Sequence, residues 1–451
     1  MRRLFLGGAG TGKTHQLRES LCEWADEGFR QTEVTRHKRI LGLTFMHGSR
    51  IRMTQRMVDL PEELPPVSVE TLDAFSLRLV RRYRRRVGLN GKAVLPDVGA
   101  GRSAAQSKLA HRVPLQKLRE LAADLLGEAD VGRTVRSTYP IMIVDEAQDC
   151  DPSLLAVVKG LALATRIICA ADAFQELGGS GSGGELEGWF QQHGEVRLLS
   201  EQFRMSDPAL LRTASAIRDG TPLSNGIAIE GARSDGQAAF WIRAQVHWDG
   251  WKGRVALISP VGPERAPFVR RTLERLKGRD AKKKQPPAPF QWEGAARYQT
   301  DDLMSRVLEV LEGRQFVPHA DALALASDGA LAPDVREVLR RASRRARLRG
   351  EEGPSSEELE MAATLLAHTR RISALGDEGS WRRAMTVYQA KNREFDYVFV
   401  LWPYQVQGDV EKQRRLLYNA VTRAKKGARV IVQGGRQQLS KNPMFSTLLG
   451  C

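Results

Sequence analysis

The sequence predicts an α/β fold in which parallel strands lie buried between layers of helices. Three observations predict it. Short apolar runs without polar alternation recur along the chain, helical patterns lie between them, and a glycine-rich turn joins the first run to the first helix. The expected strands cover residues 4–6, 40–45, 141–144, 166–170, 255–259, 397–401 and 430–432. Each is short and ends at a polar or glycine-containing segment, as strands covered on both faces do. Residues 208–218 and 416–426 have helical spacing.

Two stretches interrupt this alternation. Residues 77–138 are Arg-rich and helical in character, with no strong strand signal. Residues 281–380 open on Lys282-Lys283-Lys284-Gln285-Pro286-Pro287 and continue as Arg- and Ala-rich helix. Both are expected to be helical insertions. Residues 178–184, a run of Gly and Ser, are expected to form a flexible loop. No solenoid-type repeat is present.

Composition narrows the function. The 451 residues suffice for more than one domain and a substantial core. The 69 Lys and Arg against 53 Asp and Glu give a net charge of +16. An excess of this size suits an anionic partner, most commonly nucleic acid, or a solubilising surface. Cys22, Cys150, Cys169 and Cys451 have neither zinc-type spacing nor a disulfide framework, which fits a reducing compartment. No signal peptide and no run of about 20 apolar residues occurs, so the expected location is cytoplasmic and no membrane partner is expected.

Gly7-Gly8-Ala9-Gly10-Thr11-Gly12-Lys13-Thr14 fits the phosphate-loop pattern G-x-x-x-x-G-K-S/T, with a strand before it and a helix expected from His15 to Glu27. Glycines let backbone N–H groups curl around phosphate oxygens, and the helix N-terminus adds partial positive charge. Lys13 would reach the β- and γ-phosphates, and the Thr14 hydroxyl would sit on magnesium. The strand before Asp145-Glu146 delivers a carboxylate to the same sheet edge, so Asp145 is the second expected magnesium ligand. Glu146 is the expected base toward the attacking water. The ligands that follow are a nucleoside triphosphate and magnesium.

Val144-Asp145-Glu146-Ala147-Gln148-Asp149 resembles the second motif of UvrD/Rep-like superfamily 1 helicases, and the other motifs follow in the family's order. Ile40-Leu41-Gly42-Leu43-Thr44-Phe45 resembles the strand motif after the first helix. Val69-Glu70-Thr71-Leu72-Asp73-Ala74-Phe75 resembles the "T-x-H-x-F" motif, and Ala171-Asp172-Ala173-Phe174-Gln175 the "GDxxQ" motif. Leu199-Ser200-Glu201-Gln202-Phe203-Arg204-Met205 resembles "L-x-x-NYRS". Thr386-Val387-Tyr388-Gln389-Ala390-Lys391-Asn392-Arg393-Glu394-Phe395-Asp396 resembles "HxxKGLEFD", and Leu417-Tyr418-Asn419-Ala420-Val421-Thr422-Arg423-Ala424-Lys425 resembles "LYVAxTRAK". The match touches the chain from end to end outside the two insertions.

This resemblance implies two RecA-like P-loop NTPase lobes with parallel sheets and nucleotide between them. The first lobe is expected over residues 1–200 and the second over 201–451, each with its helical insertion. The first would supply Lys13, Thr14, Asp145, Glu146 and Gln175, and the second Arg204 and Arg423. Guanidinium groups there suit the charge that builds on a transferred phosphoryl group. Phe203 would stack on the base, the alternative being a core Phe. Gln175 would sense the γ-phosphate, and Glu394 would contact ribose. Phe45, Thr71 and Phe75 match positions that grip single-stranded DNA in the family. The runs Arg81-Arg82-Tyr83-Arg84-Arg85-Arg86 and Arg340-Arg341-Ala342-Ser343-Arg344-Arg345 would bind phosphates or form solvated helix faces.

The sequence departs from the family pattern at several points. Six residues precede Gly7, which leaves no room for the segment whose glutamine reads adenine. Ala171 replaces Gly, and the aromatic that usually follows the third motif is missing, with Trp189 as the substitute base-stacking residue. Asn392-Arg393 stands where Gly-Leu is usual, and Asp73 replaces His. Both insertions are short, as in the compact helicases of phages and defence systems. The expected activity is ATP-dependent movement on single-stranded or forked DNA with duplex unwinding, 3′-to-5′ by resemblance. The alternative is a nucleotide-gated DNA-sensing subunit that does not unwind processively. A nuclease or another DNA-processing protein is the expected protein partner.

Overall fold

The structure, a computed structural model, describes residues 2–26, 37–45, 50, 53–55, 57, 60–62, 64–89, 93–97, 110–178, 182–248, 250–279, 285–293, 296–311, 317–348, 351–355, 358–359, 362–363, 365–366 and 382–450. The chain forms two compact units, Met1–Ala288 with Thr386–Cys451, and Pro289–Met385.

The first unit contains two parallel sheets. The first sheet uses β1 (Arg2–Gly7), β2 (Ile40–Thr44), β3 (Val67–Thr71), β6 (Ile141–Val144), β7 (Arg166–Ala171) and β8 (Glu195–Leu199), in the order β3-β2-β6-β7-β1-β8. Every pairing is parallel. The pleat divides its apolar residues between two cores. Met142, Val144, Ile167 and Cys169 enter one, with Leu41 and Leu43. Ile141, Ile143, Ile168 and Ala170 enter the other, with Phe5 and Ile40. Burial on both faces is why these strands read as continuous apolar runs.

Helices cover both faces. α1 (Lys13–Asp26) buries Leu17, Leu21 and Trp24, one stripe at helical spacing. The expected end of this helix, Glu27, lies outside the described residues. α2 (Leu72–Arg82) buries Leu72, Phe75, Ser76, Leu79 and Val80, and the Thr71 hydroxyl caps it by accepting the Ala74 N–H. α5 (Pro152–Ala164) begins after Asp151, whose carboxylate accepts the Leu154 N–H, with Pro at the first turn where no N–H is needed.

The second sheet places β9 (Ala228–Ala232), β10 (Val255–Ser259), β13 (Phe395–Trp402) and β14 (Ala424–Gln433) in this unit, in the order β10-β13-β14-β9 and all parallel. α7 (Pro208–Asp219) and α14 (Val410–Val421) belong to the same part of the fold.

Four expectations need correction. The helix expected at 416–426 ends at Val421, and Lys425 and Lys426 lie in β14. The first insertion is not purely helical. β4 (Ala93–Asp97) pairs in parallel with β5 (Ala110–Pro114) ahead of α3 (Leu115–Gly127) and α4 (Ala129–Thr138). Ser182, Gly183 and Gly184 begin helix α6 (Ser182–His193) rather than continuing a loop, and 179–181 lie outside the described residues. Strands β3, β8 and β9 were not expected. β3 and β8 flank the first sheet and β9 ends the order of the second, so each admits polar or exposed residues and lacks the apolar signature of an interior strand.

The second unit pairs β11 (Gln291–Trp292) with β12 (Arg382–Thr386) and carries helices α10 (Ala296–Val310), α11 (His319–Ser327) and α12 (Pro333–Leu348). Leu303, Val307, Val338, Leu339 and Ala342 form its core. The Arg340–Arg345 run lies on α12, where Arg340 and Arg341 pair with Glu337 and Arg344 is exposed. Lys282-Lys283-Lys284 lies outside the described residues. Among the described residues no helix is long and apolar enough to cross a membrane.

Candidate nucleotide site

The site forms at the carboxyl ends of β1, β6 and β7, which are neighbours in the sheet. β1 ends at Gly7 and the chain turns at once. Gly10 and Gly12 take left-handed φ values of 84° and 76°, which glycine adopts without steric cost. The Thr11 hydroxyl donates to the Gly8 carbonyl at 3.0 Å and closes the loop from within. Lys13 opens α1 and folds its ammonium back onto the Gly7 and Gly8 carbonyls at 2.8 and 2.7 Å. Burial lowers the affinity of Lys13 for its proton, against the pull of Asp172 and Glu146.

β6 delivers the acidic pair. The Thr14 hydroxyl donates to Asp145 Oδ2 at 3.4 Å, so the two expected magnesium ligands face each other. Among the described residues no group of three or more His, Cys, Asp or Glu side chains gathers as a metal cage. One hydroxyl and one carboxylate beside a phosphate loop fit magnesium, which takes its remaining oxygens from phosphate and water. Glu146 holds a left-handed backbone at φ 60°, unusual for a residue with a Cβ. Its carboxylate accepts the Gln148 amide at 2.6 Å. Burial raises the Glu146 pKa, but Lys13, the Gln148 hydrogen bond, Lys391 and Arg423 together bring it below the usual value. Glu146 is therefore ionised at neutral pH.

Gln175 follows β7 and is 3% exposed. Its amide nitrogen donates to Asp172 Oδ2 at 2.8 Å, and its oxygen accepts Arg423 Nη2 at 3.0 Å. Burial, with Arg204 nearby, brings the Arg423 pKa down to about 10. Arg204 pairs with Glu394 at 3.0 Å, and Lys425 reaches the other oxygen of the same carboxylate at 3.0 Å. Glu394 thus bridges two cations. Phe203 is 70% exposed, which excludes the core reading of that ring. Its N–H donates to the Gly10 carbonyl at 2.8 Å, and a Cβ on Gly12 would lie 3.2 Å from its ring.

These groups share one cavity of about 460 Å³. Lys13, Thr14, Asp145, Glu146, Gln175, Phe203, Arg204, Glu394 and Arg423 all line it, with Ala9, Gly10 and Gly12 of the loop. Gly7, Gly8 and Thr11 shape the loop without lining the cavity. Sequence reasoning missed His15, Arg18, Met53, Asn392 and Lys425, which also line it. It also missed Gln148, which connects Glu146 to the backbone N–H of Asp172 at 2.9 Å. Asn392 and Gln148 stand inside the quoted motifs, and that was the available signal. Asn392 has φ 63°, a conformation that Asn tolerates better than most residues, so it can occupy the family's Gly position.

Residues 2–179 match the family model of an AAA domain, and residues 383–431 match that of the UvrD-like helicase C-terminal domain. The chain belongs to the UvrD/Rep-like superfamily 1 helicases. Helicase domains of this kind imply nucleotide binding. Among solved structures, this UvrD-like chain is similar to the arterivirus nonstructural protein 10 helicase in complex with DNA, at 10% identity and TM-score 0.35, over 98% of this chain and 63% of that one. It is also similar to a crystal structure of the arterivirus nonstructural protein 10 helicase, at 10% identity and TM-score 0.37, over 98% of this chain and 61% of that one. The chain therefore spans less than two thirds of the length of these distant neighbours. No curated protein matches it.

The expected DNA contacts of this UvrD-like chain are placed differently from the residues expected to bind nucleotide. Phe75 is 1% exposed inside the first core, so it offers no face to a base. Thr71 is 8% exposed and its hydroxyl is committed to capping α2. Phe45 packs partly buried against the core. Trp189 also packs on that core and stacks on His193, with ring centroids 4.8 Å apart. The Arg2 guanidinium lies over its ring at 5.8 Å. Arg2 begins β1 and Gly7 ends it, so Trp189 sits at the far end of the strand from the phosphate loop. These placements correct Phe75 and Trp189 as stacking surfaces. Asp73, where the family has His, receives both Arg119 Nε at 2.7 Å and Nη2 at 3.1 Å. An insertion helix has taken over that position.

Proposed function

We propose that this chain is a DNA-dependent ATPase that couples hydrolysis to 3′-to-5′ movement on single-stranded DNA and to duplex unwinding, in DNA repair, recombination, replication, or phage or defence DNA processing. The observation that supports it is the gathering of Lys13, Arg204 and Arg423, distant in sequence, around one cavity that also holds Thr14, Asp145 and Glu146. In this reading the first lobe runs over residues 1–200 and the second over 201–451, with insertions near 77–138 and 281–380. Phe203 stacks on the base, and Lys13 exchanges its loop carbonyls for phosphate oxygens. Thr14 and Asp145 would hold magnesium, which would supply positive charge toward the phosphates. Glu146, ionised, orients the attacking water and accepts its proton. Arg204 leaves Glu394, and Arg423 turns from Gln175, to meet the charge that develops on the γ-phosphoryl group. Binding thereby changes the contacts between lobes, and that change is what moves the strand. A nuclease or other DNA-processing protein is the proposed partner.

The test is a steady-state ATPase titration of the full chain with single-stranded DNA, duplex DNA and RNA, beside unwinding of a forked duplex. Single-stranded DNA is expected to stimulate hydrolysis, and Lys13→Ala to abolish it. Arg423→Ala should cut the rate about 10³-fold with little change in nucleotide affinity. Hydrolysis indifferent to every nucleic acid would sink the motor reading. Stimulation without strand release would favour the regulatory alternative.

A further inference from the structure

Asp172 is a side chain with no exposed surface, and its carboxylate gathers three donors. The Phe174 N–H donates to Oδ1 at 3.2 Å, and the Gln175 amide to Oδ2 at 2.8 Å. The third donor is Arg218 Nη2, at 3.0 Å from Oδ1. Arg218 lies near the end of α7, outside every motif quoted above, and does not line the nucleotide cavity. Its other terminal nitrogen faces the phosphate loop. A Cβ on Gly8 would stand 2.7 Å from Arg218 Nη1. The same guanidinium lies 5.7 Å from the ring centroid of Tyr418, whose hydroxyl accepts the Ala9 N–H at 3.0 Å. One planar cation therefore touches the phosphate loop, the Asp172 carboxylate and the buried Tyr418.

We propose that Arg218 is a positioning residue for hydrolysis, acting through Asp172 on Gln175. A charge-assisted bond fixes one carboxylate oxygen, and the other then holds the Gln175 amide with its oxygen toward Arg423. The same side chain sets the distance between this pair and Gly8, whose carbonyl receives Lys13. A fork with two separated N–H groups is needed to serve both neighbours, which a lysine ammonium cannot reproduce. The inference rests on reading the cavity as a nucleotide site.

The experiment measures magnesium-dependent ATP hydrolysis by the full chain with single-stranded DNA, for wild type, Arg218→Ala, Arg218→Lys, Asp172→Asn and the Arg218→Ala/Asp172→Asn double variant. Nucleotide binding and thermal midpoint are measured on the same samples. Arg218→Ala is expected to lower kcat by about 10- to 10²-fold while KM changes less than about 3-fold, since displacement of a catalytic group acts on the rate. Arg218→Lys should recover part of the rate. Asp172→Asn should match Arg218→Ala, and the double variant should be no slower than either single one. A wild-type kcat in Arg218→Ala, with only its midpoint lowered, overturns the proposal. If Arg218→Ala does not fold, a wild-type kcat in Asp172→Asn overturns it equally. Wild type without hydrolysis overturns the nucleotide reading itself, whereas hydrolysis by wild type beside an equally fast Arg218→Ala overturns this inference alone.

Discussion

Phe75 and Phe203 are both aromatic residues inside helicase motifs, and the structure separates them by burial alone. Phe75 falls on the apolar stripe of α2, with Leu72, Leu79 and Val80, and that spacing sends it into the core. Phe203 follows β8 on an irregular segment with no periodicity to bury it, and it remains exposed. Stripe position was legible in the sequence and outweighs motif membership. Phe75→Ala is therefore expected to destabilise the first lobe by ~3–5 kcal/mol, the cost of a large core cavity. Its affinity for single-stranded DNA, measured well below its own melting temperature, should stay within about twofold of wild type. A normal melting temperature with weakened DNA binding would return Phe75 to the nucleic-acid surface. Arg218 and Tyr418 show the other limit of sequence reading. Their shared contact with the phosphate loop joins residues about 200 and 400 positions from it, and no local spacing announces such a contact.

At the scale of elements, the phosphate loop with its strand and helix could be read because each part is local. Two glycines must take positive φ, a lysine must open the helix, and an apolar run must lead in. Edge strands β3, β8 and β9 could not, because one flank without a neighbour admits polar residues. The short turn after β6, Ala147–Asp149, carries a titratable contact that sequence pattern did not flag. Asp149 pairs with Lys391, which precedes Asn392. Burial raises the Asp149 pKa to about 6, Lys391 opposes the shift, and Glu146 adds to it. A carboxyl whose folded pKa is raised contributes stability that is fully present below the unfolded value of 3.8 and is lost as pH rises through about 6. Asp149→Asn removes that titration. The variant should therefore gain stability relative to wild type between pH 4 and pH 6.5, by no more than roughly 3 kcal/mol. Thermal midpoints of both proteins across that window test it. A gap that closes or reverses as pH rises would place the Asp149 pKa below its unfolded value.

For the whole molecule, the proposed nucleotide site is also a junction. Ala9 meets Tyr418, Asp172 meets Arg218, Asp149 meets Lys391, and Gln175 meets Arg423, and each pair joins the first sheet's loops to elements near the second sheet. A ligand bound there touches both sets, so its binding free energy stabilises them together. Linkage gives ~2.7 kcal/mol when free nucleotide stands at 100 times its Kd. Magnesium-nucleotide is therefore expected to raise the melting transition of the first unit as one cooperative step, followed by tryptophan fluorescence, to which Trp24 beside the first sheet and Trp402 in the second both contribute. Lys13→Ala should lose the shift, and Arg204→Ala should reduce it, because one cation of the cavity is then missing. If nucleotide raises only a first transition and leaves a later one unmoved, the ligand engages the first sheet's residues alone, and Arg204 has no part in holding it.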